Sequence, residues 1–167
     1  MKIRVGVDAE RSRLGRLTMS EGSETSAPVD VCVTADAASA NAAGNAAQDP
    51  LRPGGPAPFG VYTLKEARPV QGPLVPELGD VSLVFEPLSG AARLAESLGR
   101  FVLELHGGLP GDDGRLRATS RGLRVLPETL ARLASAAARA ERIELEIYEA
   151  PLTLWDRLFF CRRRPSR

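Results

Sequence analysis

Residues 101–108 read Phe-Val-Leu-Glu-Leu-His-Gly-Gly, and this stretch decides how the fold is interpreted. Phe101, Leu103 and Leu105 recur at every second position, so they share one face of a predicted strand. Gly107 and Gly108 end that strand abruptly, at a place where backbone can approach other groups closely. His106, the single histidine of the chain, therefore lies at a strand end.

The flanking sequence predicts further short strands on both sides. Alternation is clearest in two segments, Ile3-Arg4-Val5-Gly6-Val7 and Ile143-Glu144-Leu145-Glu146-Ile147, whose polar positions face outward. The predicted strands cover residues 3–7, 14–19, 29–33, 60–66, 81–85, 101–106 and 143–149, and helices are predicted at 88–99 and 127–139. We expect a mainly β, β-rich α+β fold, a sandwich or barrel with one or two peripheral helices. The alternation argues against a buried parallel sheet.

The chain is expected to form one domain at 1–150, followed by an aromatic and basic C-terminal tail at 151–167. Residues 35–48 are rich in Ala and Asn and allow a short helix, which Gly44 weakens. The Pro- and Gly-rich residues 49–58 predict a surface loop, because proline fixes φ and lacks an N–H. The strands before this loop are too few to close a separate core.

Composition excludes several classes of function. The 167 residues carry a formal charge of +1, so no nucleic-acid partner is expected. The two cysteines, Cys32 and Cys161, have no metal-ligand spacing around them, and we expect neither a metal nor a cofactor. The first residues lack the apolar run of a secretory signal, and no stretch has the ~20 apolar residues of a membrane span. A cytoplasmic location is the expectation.

The loop after His106 carries the side chains best suited to binding a ligand or to catalysis. Residues 115–125 combine hydroxyl groups, a glycine and several arginines, which suits an anionic or carboxylate ligand because guanidinium binds carboxylate bidentately. The alternative is a solvent-exposed basic loop. The candidate ligand-binding residues are His106, Arg117, Thr119, Ser120 and Arg124.

In their order, these elements resemble the L,D-transpeptidase family of YkuD type. That family has a His-Gly pair followed by Ser-His-Gly-Cys, a hydrophobic residue and Arg or Asn, and then a helix. Here His106-Gly107-Gly108 precedes Thr119-Ser120-Arg121-Gly122-Leu123-Arg124-Val125. Pro58-Phe59-Gly60-Val61-Tyr62 is similar to the family's entry to a core strand, and Asn45 with residues 49–55 resembles the loop before it. The resemblance covers roughly residues 3–149.

The departures from the family concern its catalytic residues. The family uses a cysteine thiolate as nucleophile, activated by the histidine two residues earlier. If Arg124 matches the family's last motif residue, Gly122 takes the cysteine position and Ser120 the histidine position. If Ser120 matches the family's serine, Arg121 replaces the histidine, and the cysteine is deleted or replaced by Leu123. Neither alignment supplies a thiol or its base, so the expected catalytic set is empty, with a remnant cleft at His106, Ser120 and Gly122.

The tail predicts an interaction segment. It contains the only Trp of the chain, two of its five Phe and a basic end. A helix there would place Leu154, Trp155, Leu158 and Phe159 on one face. The candidate partner-binding residues are Trp155, Leu158, Phe159 and Phe160, since such side chains are typical interface anchors. Docking on the chain's own core is the alternative, and a membrane surface is ranked below a partner.

The resemblance and its departures lead to an inactive L,D-transpeptidase-like protein that acts as a binding or structural component of a bacterial multiprotein assembly. Its partner would be another protein or a second copy, and a peptide or carboxylate ligand remains open. The alternatives are a residual peptidoglycan-peptide-processing enzyme, in which Ser120 would use His106 as its base, and a muropeptide-binding sensor.

Overall fold

The computed structural model describes residues 1–8, 14–100, 102–112, 114–119 and 122–150. The expectations for Phe101, Ser120, Arg121 and the whole tail at 151–167 lie outside these residues. Within them, one nine-stranded mixed sheet curls around a single apolar core. The mainly β α+β fold is confirmed.

Four strands come first in the element order, and helices lie between most of the later strands. The strands are β1 (Lys2–Val7), β2 (Gly15–Glu21), β3 (Glu24–Thr25), β4 (Val29–Val31), β5 (Gly60–Pro69), β6 (Val81–Ser89), β7 (Leu103–His106), β8 (Gly122–Arg124) and β9 (Glu144–Glu149). The helices are α1 (Ala37–Ala42), α2 (Val75–Leu78), α3 (Ala91–Ser97) and α4 (Pro127–Ala137), with a 3₁₀ turn at Gly72–Leu74.

The sheet order is β3-β2-β1-β9-β5-β6-β7-β8, and β4 pairs with β2. Beyond β4, Cys32 and Arg124 exchange two backbone hydrogen bonds of 2.8 and 2.9 Å, which join this strand to β8. Backbone pairing therefore runs from β2 through β8 and back to β2. The sheet edge at β8 is closed in this way, which removes the exposed N–H and C=O groups of an edge strand.

Parallel pairing occurs at two places, although the alternation of apolar residues argued against a buried parallel sheet. β1 pairs in parallel with β9 over six residues, and β7 pairs in parallel with β8 over three. Alternation reports only that one face is apolar, whereas strand direction depends on how the chain returns to the sheet. Helix α4 connects β8 to β9 and so returns the chain to the sheet beside β1.

The inward face of the sheet and the helix stripe build the core. Leu105, Leu123, Leu145 and Ile147 are each at most 1% exposed. Pro127 begins α4, where its missing N–H costs nothing, and the predicted stripe at Leu130, Leu133 and Ala137 is buried. The predicted helix at 88–99 is shorter, because Leu88 and Ser89 continue β6 and α3 begins only after Gly90.

Two segments differ from the sequence-based expectation. Residues 122–124 were predicted to lie in a turn but form β8, whose three residues are too few for a periodic signal. Residues 72–78 form a 3₁₀ turn and α2, which the sequence pattern did not indicate. Across the described residues, no helix has both the length and the apolar character required to cross a membrane.

Candidate functional site

His106 is the last residue of β7 and has no solvent-exposed surface. Its neighbour Leu105 belongs to the core, so His106 points to the opposite face of the sheet. Strand pairing places it between Ser82 of β6 and Arg124 of β8. The imidazole is therefore buried on the outward face, where other strands of this sheet meet solvent.

Both ring nitrogens of His106 make short hydrogen bonds. Nδ1 lies 2.6 Å from the carbonyl oxygen of Gly107, and Nε2 lies 2.6 Å from Oγ1 of Thr119. A carbonyl oxygen can only accept, so Nδ1 carries a proton. In the neutral ring Nε2 is then an acceptor, and the Thr119 hydroxyl donates to it.

The backbone of Thr119 is fixed from both sides. Its N–H donates to the carbonyl of Thr34 at 3.1 Å, and its own carbonyl accepts from the N–H of Asp36 at 3.2 Å. These bonds form an isolated parallel bridge with Ala35. The side chain is 4% exposed, so the hydroxyl faces the imidazole and not the solvent.

Arg124 brings a buried positive charge next to this pair. It is 6% exposed, and its strand neighbours are His106 on one side and Cys32 on the other. The hydrogen bond from the backbone N–H of Ser39 is the main cause that lowers the pKa of the Asp36 carboxyl, and the charge of Arg124 adds a smaller effect. The same bond caps α1.

The two glycines after His106 have structural reasons to be glycines. A Cβ at Gly107 would lie 3.0 Å from the carbonyl oxygen of Leu78, which accepts the N–H of Gly107 at 2.8 Å. A Cβ at Gly108 would lie 2.6 Å from Cδ of Arg124. The Gly-Gly pair therefore lets α2 and the arm of Arg124 pack directly against the backbone.

Gly122, which one alignment equates with the missing cysteine, has no room for a side chain. Its φ of 134° is rarely adopted by other residues. A Cβ there would lie 2.6 Å from Cδ1 of Leu103 and 2.8 Å from the carbonyl oxygen of Glu104. No nucleophilic side chain fits at this position in the observed backbone.

The structure brings together only some of the predicted site residues. His106, Thr119 and Arg124 form one buried cluster, which we call the polar cluster, whereas Arg117 is exposed on the connecting loop. Ser120 and the four tail residues Trp155, Leu158, Phe159 and Phe160 lie outside the described part of the chain. In the described ranges, no three His, Cys, Asp or Glu side chains group as metal ligands.

The sequence interpretation named Asn45 in the Pro- and Gly-rich loop but missed Arg100, which also holds this loop. Arg100 donates from Nη1 to the carbonyls of Pro50, Arg52 and Pro56 at 2.8–3.3 Å, and so fixes the Pro- and Gly-rich loop. Asn45 bonds Asp49 in both directions within the same loop. The family resemblance drew attention to Asn45, but nothing local distinguishes Arg100 from the other arginines.

Comparison with known proteins identifies structures of similar fold but no family. No protein-family model matches the chain, and no curated protein matches it. The structure of Bd1075 from Bdellovibrio bacteriovorus is similar, with a TM-score of 0.52, 14% identity, and coverage of 88% of this chain and 47% of that one. The helical cell shape determining protein Pgp2 from Campylobacter jejuni is also similar, with a TM-score of 0.53, 14% identity, and coverage of 89% and 48%. The chain spans about half the length of these two bacterial proteins, with which it shares a fold.

Proposed function

We propose that this chain is a catalytically inactive L,D-transpeptidase-like domain that acts as a binding or structural component of a bacterial multiprotein assembly. One observation carries the proposal: the only imidazole is wholly buried, and both of its nitrogens are engaged by Gly107 and Thr119. A general base must reach the proton it abstracts and the substrate that reacts. A buried imidazole whose acceptor nitrogen is already bonded is better suited to holding the loop than to catalysis.

Two further features support the loss of chemistry. The backbone at Gly122 leaves no space for the family's nucleophile, as the distances to Leu103 and Glu104 indicate. Cys32, the free thiol among the described residues, is buried beside Arg124 on the strand that closes the sheet. The resemblance of residues 106–125 to the family motif, together with the fold shared with two bacterial proteins, supports descent from an enzyme of this type.

The binding half of the proposal is supported by apolar surface and by the tail. Leu94 and Leu98, one turn apart on or just after α3, are 53% and 50% exposed. The tail adds the interface anchors Trp155, Leu158, Phe159 and Phe160 beside a basic end. A protein partner suits this combination of apolar and arginine side chains, and a second copy of the chain is the other outcome to test.

Incubation with purified peptidoglycan stem peptides, followed by mass spectrometry, tests the proposed absence of catalytic activity. We expect no cross-linked or shortened peptide, and the same result for His106→Ala. Product formation that disappears in His106→Ala would overturn the proposal.

Deletion of residues 152–167 tests the proposed role in binding a partner. We expect the deleted protein to keep the far-ultraviolet circular dichroism of a folded sheet but to lose its partner, or its dimeric mass, in light scattering and native co-purification. Trp155→Ala with Phe159→Ala should reproduce the loss, whereas Arg52→Ala, at an exposed residue outside the candidate sites, is the surface control. A full-length protein that is monomeric and partner-free in its native cell would contradict an assembly role.

A residual peptide-processing enzyme is the second candidate, and the 2.6 Å contact between Thr119 and His106 favours it. The Thr119 hydroxyl would have to become accessible to a substrate, since Thr119 is 4% exposed. Labelling by a fluorophosphonate probe that is lost in Thr119→Val, and also in His106→Ala, would establish this candidate in place of the first.

A further inference from the structure

The short helix α3 carries apolar side chains on its outer face. Leu94 and Leu98, one turn apart, are 53% and 50% exposed, and we call these two residues the α3 patch. Leu88 before the helix and Val102 after it are also exposed. Of the six large hydrophobic side chains exposed in the described ranges, four therefore lie within residues 88–102. This clustering distinguishes the surface from the single apolar side chains that are normal on a protein.

The contacts of α3 with the sheet hold the two leucines outward. Ala92 and Ala95 are buried, and the N–H of Ala92 donates to the carbonyl oxygen of Phe59 at 3.0 Å. A Cβ at Gly60 would lie 2.8 Å from Cβ of Ala92, so the helix directly contacts the first residue of β5. Turning the α3 patch inward would break this packing. Burial of the patch therefore requires another segment to cover it.

The last described residues of the chain lie beside α3. Ala150 follows β9, and its N–H donates to the carbonyl oxygen of Val7 at 2.8 Å. β9 pairs with β5, and Ile147 lies opposite Gly60, the residue that contacts α3. The strand from Ile147 to Ala150 spans about 10 Å and one strand spacing adds about 5 Å, so Ala150 lies within about 15 Å of Gly60. The chain therefore continues into the tail from the end of the sheet where α3 lies.

The tail has the length and the side chains to cover the α3 patch. Residues 151–167 span about 25 Å as a helix and about 55 Å when extended, and both lengths exceed the gap to α3. Leu154, Trp155, Leu158 and Phe159 have the spacing of one apolar helix face. Because the tail is tethered to the domain, its effective concentration at α3 is on the order of millimolar, far above that of a second copy in dilute solution.

We propose that, in the isolated protein, residues 152–160 of the tail dock on the α3 patch of the same chain and place Trp155 against Leu94 and Leu98. The contact removes apolar surface of both segments from water, and this burial drives the docking. A partner that binds the tail then uncovers the α3 patch in the same step, so the two apolar surfaces become available together. The docking itself requires no partner and does not depend on the proposed assembly role.

The single tryptophan of the chain reports the docking without a label. Tryptophan fluorescence lies at shorter wavelength in apolar surroundings than in water. We expect Trp155 of the purified full-length protein to emit at shorter wavelength than in the same protein unfolded in urea. Light scattering should give the mass of a monomer, and dilution should leave the emission unchanged. Emission equal to that of the unfolded chain would overturn the proposal, and so would a shift that is lost on dilution together with a dimeric mass.

Two double variants test the location of the docking site. Leu94→Gln with Leu98→Gln removes the α3 patch at little cost in helix propensity, and should move the Trp155 emission to longer wavelength. Leu74→Gln with Leu109→Gln is the matched control, because these leucines are also exposed but lie outside α3 and its flanks. Since all four leucines are exposed, each variant should keep the circular dichroism of the unaltered chain. An emission that ignores the first pair of changes, or that responds equally to the second pair, would refute docking at α3.

Hydrogen exchange provides a second measurement, which leaves α3 unaltered. The amide N–H of Leu98 donates to the carbonyl oxygen of Ala95 at 3.1 Å, and docking of the tail should slow its exchange. We expect faster exchange in Trp155→Ala with Phe159→Ala, and an unchanged rate would contradict the proposal. Both measurements use the purified chain alone. A water-exposed Trp155 in a protein that still binds a partner would refute only this inference, whereas a docked tail in a protein without a partner would refute only the assembly role.

Discussion

The two parallel strand pairs of the sheet have the same backbone geometry but opposite environments on their outward faces. In the pair β1–β9, Val5 and Ile147 face the core, as Leu105 and Leu123 do in the pair β7–β8. Outward from β1–β9, Lys2 and Arg4 meet Glu146 at 3.0 and 3.1 Å with much of each side chain in solvent. Because solvent reaches these charged side chains, this face does not require another element packed against it.

The outward face of β7–β8 is instead packed. Its polar cluster of His106, Thr119 and Arg124 is at most 6% exposed, and the neighbouring Glu104 is 9% exposed. Buried polar groups require partners, whereas exposed ion pairs contribute little. The comparison shows that the outward face of one parallel pair lies in solvent, whereas the outward face of the other buries polar groups that must find partners within the protein.

Gly122→Ala should have the largest effect, because it acts on the short strand of the buried pair. Backbone strain of about 1–3 kcal/mol and overpacking of about 1–3 kcal/mol together predict a loss of roughly 2–6 kcal/mol in the free energy of unfolding. Urea denaturation measures this loss. Gly99→Ala is the matched control: its φ is also positive, at 91°, but nothing lies within 4 Å of an added Cβ. Equal losses in the two variants would show that crowding at β8 is unimportant.

Thr119→Val should have the next largest effect, since it removes the buried hydrogen bond to Nε2 at nearly constant volume. We expect a loss of about 1–3 kcal/mol in the free energy of unfolding, measured by urea denaturation. Thr119→Ser keeps the hydroxyl and should restore most of the loss caused by the missing bond. A Thr119→Val protein as stable as the unaltered chain would mean that the polar cluster is not needed for stability.

The charged face of β1–β9 should affect stability through pH. The hydrogen bond from Lys2, together with the nearby positive charges, lowers the pKa of Glu146 from its ordinary value of 4.5. The resulting stabilisation is present above pH 4.5 and is lost as the pH falls through the lowered folded value. Thermal melts across this acid range should decline less steeply for Glu146→Gln than for the unaltered chain. Glu149→Gln, at the exposed end of the same strand, is the control, and an equal change there would contradict the role of Lys2.

Arg4→Gln should have the smallest effect. It removes the ion pair with Glu146 and the stacking of the guanidinium 4.5 Å from the centre of the Tyr148 ring. Exposed ion pairs and exposed cation–π contacts are each worth up to about 1 kcal/mol, so a change of about 1 kcal/mol, and at most about 2 kcal/mol, is expected. The change should shrink further in high salt. A loss as large as that of Thr119→Val would remove the distinction between the two faces.

The sequence predicted the elements with strong periodicity and missed those without it. β1, β9 and α4 were placed within one or two residues, because alternation and the apolar stripe act over six or more positions. β8 has three residues, and the carbonyl clamp of Arg100 joins segments 44 to 50 residues apart. Neither the short strand β8 nor the contacts of Arg100 produce a pattern that can be recognised in the local sequence.

The candidate site divides in the same way. The motif order drew attention to His106, Thr119 and Arg124, which the fold brings together, but it gave no sign that Thr119 would be the residue at Nε2. Ser120 was the serine weighed as a partner for His106, and it lies outside the described residues. The bridge to Thr34 and Asp36 fixes residue 119 from a distant part of the chain, and no local sequence pattern indicates it.

The sequence alone determined which faces are apolar, where the strongest strands and the long helix lie, and that no thiol occupies the expected motif position. These follow from side-chain chemistry at fixed local spacing. Only the tertiary structure decided that strands far apart in sequence pair in parallel, and that Cys32 closes the sheet on Arg124. It alone decided that His106 is buried against Thr119, because that contact depends on a strand, a loop and a bridge meeting in space.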